Sequence, residues 1–286
     1  MPFKNKPANL QKEILAIVKQ SGTSFYWAIR FLPKKKRKAM FAIYAFCRKV
    51  DDIADGKDPS KRKLSKLKEW RTKIDKLYNH RPTDLITHAL AGPITNYNLN
   101  KEDFIAIIDG MKTDSVKKLR IPNKAALTVY CDQVACAVGR LSNSVFGIKP
   151  EQGKKLAKFL GEALQLTNIL RDIHEDGDRD RVYLPKDLLS LHGNDKIVIN
   201  EILEHPGLTG ACDDLAKLNR EKYKQAEVLI KECDTKLIRP ALIMMKIYYQ
   251  LFVLLERRGW GNYKVPVKVS KSFKFWIVAR VLIFEK

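Results

Sequence analysis

Cysteine is scarce, acidic charge is outweighed, and no long apolar run goes uninterrupted. The five cysteines, Cys47, Cys131, Cys136, Cys212 and Cys233, are odd in number and contain no C-x-x-C pair. They sit mostly inside apolar periodic segments, which argues against a disulfide framework or zinc site and for reduced, buried thiols. The N-terminal MPFKNKPANLQKEI lacks the apolar core of a secretory signal. The two most apolar windows, Ala241–Leu255 and Phe275–Phe284, are broken by Lys246 and Gln250 and by Arg280. Both fall short of the roughly 18–20 apolar residues that cross a bilayer. The expectation is a protein of the cytoplasm, soluble or resting on the inner face of the membrane.

Strand patterning is equally scarce. Period-2 alternation is confined to pieces such as KVPVKV (Lys264–Val269), whereas apolar residues recur at three- and four-residue intervals, as in Leu156, Phe159, Leu160, Ala163 and Leu164. That period predicts an all-α fold. Gly56 with Pro59, Pro82, Gly92-Pro93, Pro122, Gly147 with Pro150, Gly193 and Pro206-Gly207 punctuate the chain into roughly ten helices. No internal repeat or low-complexity linker divides the 286 residues, so a single domain over 1–286 is expected.

Basic charge is abundant. Fifty-four Lys and Arg against 32 Asp and Glu leave a formal charge of +22, which favours anionic partners: nucleic acid, an acidic membrane surface or phosphorylated substrates. Charge alone does not choose among them, and a compositional bias toward lysine would give the same excess. Against this background the carboxylates of YAFCRKVDDIAD (Tyr44–Asp55) stand out. Asp51 and Asp55 are one helical turn apart, with Asp52 beside them, and Tyr44 and Arg48 continue the face. In LGEALQLTNILRDIHED (Leu160–Asp176), Gln165, Asn168, Asp172 and Asp176 step by three, four and four, making one polar stripe flanked by Leu164, Leu166, Ile169, Leu170 and Ile173. A stripe with apolar flanks faces inward, and inward carboxylates need cations. Mg²⁺ suits them, because it takes oxygen ligands and bridges carboxylates to substrate phosphates. The plainer alternative is that each cluster ends a helix in solvent or pairs with its own arginine, Arg48 or Arg171.

Together with SFYWAIRFLP (Ser24–Pro33), DGMKTD (Asp109–Asp114), YCDQVACAVG (Tyr130–Gly139) and RVYLP (Arg181–Pro185), these segments resemble the squalene/phytoene synthase family, in its order and spacing over residues 21–271. The resemblance implies an isoprenoid synthase-type helical bundle around a central cavity. It implies that Asp51, Asp52 and Asp55 form a first metal-binding motif and Asp172 and Asp176 a second, with Asn168 also toward metal. Arg48, Arg171, Arg181, Tyr183 and Lys268 or Lys271 would bind diphosphate. Tyr44, Tyr130, Gln165 and Tyr248 would line the reacting region, and Ser24 and Phe25 would touch substrate. The catalytic set is then Tyr44, Arg48, Asp52, Tyr130, Gln165 and Arg171. Phe25, Tyr26, Phe41 and Phe46 could shield an allylic cation, though such a helical aromatic set is more often plain core.

The implied reaction is head-to-head joining of two farnesyl diphosphates, helped by several Mg²⁺ ions; NADPH enters only if the product is squalene. Within the family the run Ser21–Gly56 looks most like the bacterial hopanoid-pathway enzymes that make presqualene diphosphate. Phytoene synthases, which use geranylgeranyl diphosphate, and squalene or dehydrosqualene synthases are the near alternatives. Head-to-tail elongases and terpene cyclases fit the ordered motifs less well. Two departures from the family pattern bear on product choice: Cys136 stands where a small glycine is usual, and Asp180 where a glycine usually precedes R-x-Y-L-P. A non-catalytic basic helical protein that binds lipid or nucleic acid is the alternative of another class, although nucleic acid is not the expected partner.

Other features stay secondary. KKKRK (Lys34–Lys38) reads as a solvated helix face, with membrane-surface attraction next. Lys268–Lys286 interleaves Lys and Arg with Trp, Phe and Leu, which suits an interfacial helix as well as it suits packing on the core. His174, inside the second motif, points away from Asp172 and Asp176.

Overall fold

Helices make up most of the computed structural model, which describes residues 7–20 and 28–284. The order is α1 (Pro7–Gln20), α2 (Lys34–Asp55), α3 (Ser60–Tyr78), α4 (Leu85–Tyr97), α5 (Lys101–Asp114), β1 (Leu119–Arg120), α6 (Lys124–Cys131), a π-helical turn (Asp132–Cys136), α7 (Ala137–Phe146) and α8 (Pro150–Arg171). Then come α9 (Ile173–Gly177), β2 (Arg181–Val182), α10 (Lys186–Leu191), α11 (Ile199–Glu204), α12 (Gly207–Lys231), α13 (Thr235–Arg258), a 3₁₀ turn (Trp260–Asn262) and α14 (Lys271–Phe284). The all-α expectation holds.

Local chemistry sets many of the boundaries. Asp84 caps α4 by accepting from Thr87 N at 2.9 Å, Asn123 caps α6 through Ala126 N at 2.9 Å, and Asp234 caps α13 through Lys236 N at 2.9 Å. Each cap satisfies a donor that the first turn leaves without a carbonyl. Pro150 opens α8 and Gly147, at φ +84°, closes α7. Gly92-Pro93, read from the sequence as a break, lies inside α4. Proline there costs one backbone bond, and packing of α4 on α2 and α3 carries the helix through.

One contiguous cluster of buried apolar side chains runs from Ile14 to Val281. At its centre α8 is packed by α7, the π-helical turn, α12 and α13, while α2 is flanked by α1, α3, α4 and α5. The segment Thr235–Arg258 is, by length and composition, apolar enough to cross a membrane, contrary to the narrower window counted in the sequence. More than half of its most apolar stretch is buried inside the protein, as in a core helix. The lysine run is also more than a solvated face. Lys36 Nζ donates to the Phe146 carbonyl at 2.8 Å and Arg37 to the Arg30 carbonyl at 3.0 Å, leaving Lys34, Lys35 and Lys38 exposed.

Two short strands matter out of proportion to their length. β1 and β2 pair in parallel, Leu119 opposite Arg181 and Arg120 opposite Val182, a pairing that joins the end of α5 to the loop after α9. It turns Arg181 inward.

Candidate active site

The first aspartate motif ends α2. Arg48 lies one turn back and bonds Asp52 at 2.8 Å and Asp51 at 3.4 Å. Asp55, one turn further on, is held by Arg181 and Arg179, each at 2.8 Å. Burial would raise the Asp55 pKa, but these two guanidinium groups outweigh it and hold the carboxyl below its usual range. Arg179 and Arg181 thus offset the unfavourable placement of an anion at a helix C-terminus, where the helix dipole is negative.

Arg181 is the hub. Only 7% exposed, it also donates to the carbonyls of Ala54 at 3.2 Å and Asp114 at 2.7 Å. Asp114, at the last residue of α5, receives Tyr183 Oη at 2.6 Å and Tyr130 Oη at 3.1 Å, and the two phenol rings stack with centroids 5.0 Å apart. Burial and the Asp114 charge raise both phenol pKa values, so Tyr130 and Tyr183 stay protonated donors. Sequence reading placed Asp114 in a family segment without giving it a role, because its meaning depends on two tyrosines far along the chain.

The second motif continues α8. The polar stripe keeps helical register, since Asp172 N bonds the Asn168 carbonyl at 2.9 Å and Asp176 N the Asp172 carbonyl at 2.8 Å. The helix nevertheless breaks at Asp172, where ψ opens to 13°. Arg171 clamps the Asp172 carboxylate through two bonds of 2.6 Å and lies near the Tyr248 hydroxyl. Both arginines of the motifs therefore rest on neighbouring aspartates, as the plainer sequence alternative anticipated.

Charge crowding shows that the motifs share one space. Burial lifts the Asp176 pKa to about 7, with Asp172 and Asp114 adding and Arg181 opposing. Burial lifts Asp51 to about 6, with Asp55 and Asp114 adding and Arg48 opposing. Asp114 also rises to about 6, chiefly by burial. Asp114 acts on Asp51 and on Asp176, so it lies near both motifs.

Beyond Asn168, moving back along α8, a cavity of about 190 Å³ opens among the π-helical turn, α7, α8 and α13. Gln165, Asn168 and Tyr248 line it together with Val134, Val138 and Leu164. Apart from Ser142 and Asn143, the rest of its wall is apolar, down to Phe146 and Leu156. The π-helical turn supplies the Val134–Ala135 wall, a feature that apolar periodicity does not reveal. Cys136 is accommodated because its neighbour is glycine: a Cβ at Gly161 would stand 2.8 Å from the Cys136 Cα. Asp180 takes a left-handed φ of +56°, the conformation that a glycine adopts most easily, and Arg120 pins its carboxylate.

Other expected residues distribute unevenly. Tyr44 is half-buried one turn before Arg48, and Phe46 is core, packed edge-on against Trp70 and Phe104. Phe41 lies half-buried against the core. Lys268 and Lys271 are exposed; the lysine of that region whose field reaches Arg171 is Lys274, on α14. His174 is partly exposed beside Asp178. Ser24, Phe25 and Tyr26 lie outside the described residues.

Among the described residues, no three His, Cys, Asp or Glu side chains converge to enclose a metal unaided. The donor set nonetheless fits a hard divalent cation. Asp51 and Asp176 both feel the charge of Asp114, Asp52 and Asp172 neighbour them along the chain, and the buried Asn168 Oδ1 has no hydrogen-bond partner among the described residues. Mg²⁺-type sites of this kind are completed by substrate phosphate oxygens and water.

Residues 18–272 match the profile of the squalene/phytoene synthase family. A presqualene diphosphate synthase of Sinorhizobium fredii is 40% identical over 259 residues, 91% of this chain and 92% of the relative. A chloroplastic phytoene synthase of an Oncidium hybrid cultivar is 32% identical over 92% of this chain and 65% of its own length. The crystal structure of a dehydrosqualene synthase in complex with a ligand superposes with a TM-score of 0.83 at 26% identity, covering 96% of this chain and 97% of the other.

Proposed function

The chain belongs to the squalene/phytoene synthase family and is a prenyltransferase, and from that premise we propose that it joins two farnesyl diphosphates head to head into presqualene diphosphate, with Mg²⁺ as its metal. The observation that carries the reading is the placement of two aspartate motifs around Asp114, at the polar end of an apolar cavity walled by α7, α8 and α13.

In this reading Asp51, Asp52 and Asp55 on one side and Asn168, Asp172 and Asp176 on the other hold the metal. When bound, Mg²⁺ supplies Lewis-acid polarisation of the diphosphate leaving group. Arg48 and Arg171, now resting on aspartates, turn to phosphate oxygens, where charge-assisted bonds stabilise the leaving diphosphate. Lys274 adds a further cation near Arg171. Arg181 and Tyr183 hold the loop after α9 and Asp114 in register. The apolar wall of Val134, Val138, Leu164 and Met244 keeps water from an allylic cation.

The 2,3-double bond of the second substrate attacks that cation at C1. Closing the cyclopropane then releases one proton. Tyr130 and Tyr183 are unsuited to take it, because both remain protonated on Asp114. The released diphosphate is the nearest base, so the proton leaves with it. NADPH has no part in this first half of the chemistry.

Incubation of the purified chain with farnesyl or geranylgeranyl diphosphate and Mg²⁺, with and without NADPH, followed by mass spectrometry of the products, tests the reading. Presqualene diphosphate in both conditions is the expected product. A C40 product would assign a phytoene synthase instead, and unchanged turnover in Asp52→Ala or Asp172→Ala would sink the two-motif mechanism.

A further inference from the structure

The helix α14 buries Ile277, Val278 and Val281 in the core, yet its opposite face is not polar. Phe275 is 60% exposed, Trp276 50% and Ile283 59%. Trp276, Arg280 and Ile283 follow one another at four and three residues, so they share one face, and the Arg280 guanidinium lies 5.3 Å from the Trp276 ring. Ahead of the helix, Val265 is exposed between Lys264 and Lys268, both also exposed. Single exposed apolar residues are ordinary, but two adjacent aromatics with an aliphatic residue on one helix face form a patch that asks for a cover.

Two occupants are physically reasonable, a second copy of this chain or a lipid surface. A helix of 14 residues is about 21 Å long and one face about 10 Å wide, which gives roughly 200 Å². A stable protein interface buries about 800 Å² on each partner. A second copy would also bring another +22 chain against a face flanked by lysines and an arginine, whereas an anionic bilayer attracts that charge. Trp and Phe beside Lys and Arg are the side chains that settle at the headgroup boundary.

We propose that the outward face of α14, with the basic segment before it, docks on an anionic lipid bilayer. The inner side of the same helix packs on α13, whose Tyr248 lines the cavity, and Lys274 lies in the field of Arg171, so docking sets the candidate site near the lipid. That consequence rests on the proposed function, since it gives an apolar product a short path into a membrane; the docking itself does not.

Flotation of the full chain with vesicles of phosphatidylcholine, with and without phosphatidylglycerol, tests the docking without any turnover. Binding is expected only with phosphatidylglycerol and should weaken as salt rises. A Phe275→Ser/Trp276→Ser double variant should lose about tenfold or more in partitioning, because apolar burial and charge act together. It should keep the wild-type circular dichroism and the wild-type turnover of micelle-dispersed farnesyl diphosphate. Wild-type chain that stays unbound with anionic vesicles overturns the proposal, as does a folded double variant that binds equally well. A concentration-dependent dimer abolished by the double variant would assign the face to a second copy and also overturn it. If the double variant does not fold, the wild-type requirement for phosphatidylglycerol still decides. Failure of docking with intact synthesis of presqualene diphosphate leaves the proposed function standing, and the converse result separates them the other way.

Discussion

At the scale of the residue, Asn168 shows a fold accepting a cost for chemistry. Its Oδ1 is buried without a partner among the described residues, and an unsatisfied buried acceptor costs about 1–3 kcal/mol. Asn168→Leu should therefore leave the metal-free protein at least as resistant to urea as wild type. The same variant should lose most of the rise in melting temperature that Mg²⁺ with farnesyl diphosphate confers. Its position on the Gln165–Asp176 stripe was readable from spacing alone. The role of Asp114 was not, because its partners Tyr130 and Tyr183 come from different elements and meet only when α6 and the segment after β2 are packed beside α5. Lys274 is similar: nothing in KVSKSFKF distinguishes it from Lys268 or Lys271 until α14 lies down on α13.

At the scale of the element, the site depends on how closely α8 passes the π-helical turn. A Cβ on Gly161 would meet backbone atoms of Cys136 at 2.8 and 2.9 Å, contacts that a side-chain rotation does not relieve. Gly161→Ala should thus cost about 1–3 kcal/mol by overpacking, read as a lower urea midpoint with unchanged slope. It should also disturb product formation, since the displaced turn carries the Val134 and Ala135 walls of the cavity. The helices themselves were legible in the three- and four-residue period, and so were most of their ends. Gly92-Pro93 misled because proline's local penalty is smaller than the packing of α4 on its neighbours. The π-helical turn and the break at Asp172 were invisible for a different reason: one extra residue in a turn, or one opened ψ angle, leaves no mark on apolar spacing.

At the scale of the whole molecule, three carboxyl groups titrate far above their ordinary range because the fold buries them and, to a lesser degree, sets them near one another. Asp176 rises to about 7, Asp51 and Asp114 to about 6, each first through burial. A raised folded-state pKa means that the folded chain binds these protons more tightly than the unfolded chain does. Their contribution to stability is present below about pH 4, the ordinary carboxyl value, and is lost as pH rises through about 6 to 7. Asp55, held low by Arg179 and Arg181, works in the opposite direction at acid pH. The metal-free protein should consequently melt about 2–4 °C higher at pH 6 than at pH 8. Mg²⁺ should stabilise it more at pH 8, where the carboxylates are free of protons, and melting curves with chelator or Mg²⁺ at both values check this. The sequence by itself determined the helical class, the two carboxylate stripes, their arginines and the cationic excess, because these follow from residue order and a 3.6-residue period. Only the tertiary structure decided that both stripes meet at Asp114, that Arg181 ties them, and that aromatic residues at the end of the chain face outward. Those outcomes depend on which distant segments share a surface, and local spacing carries no information about that.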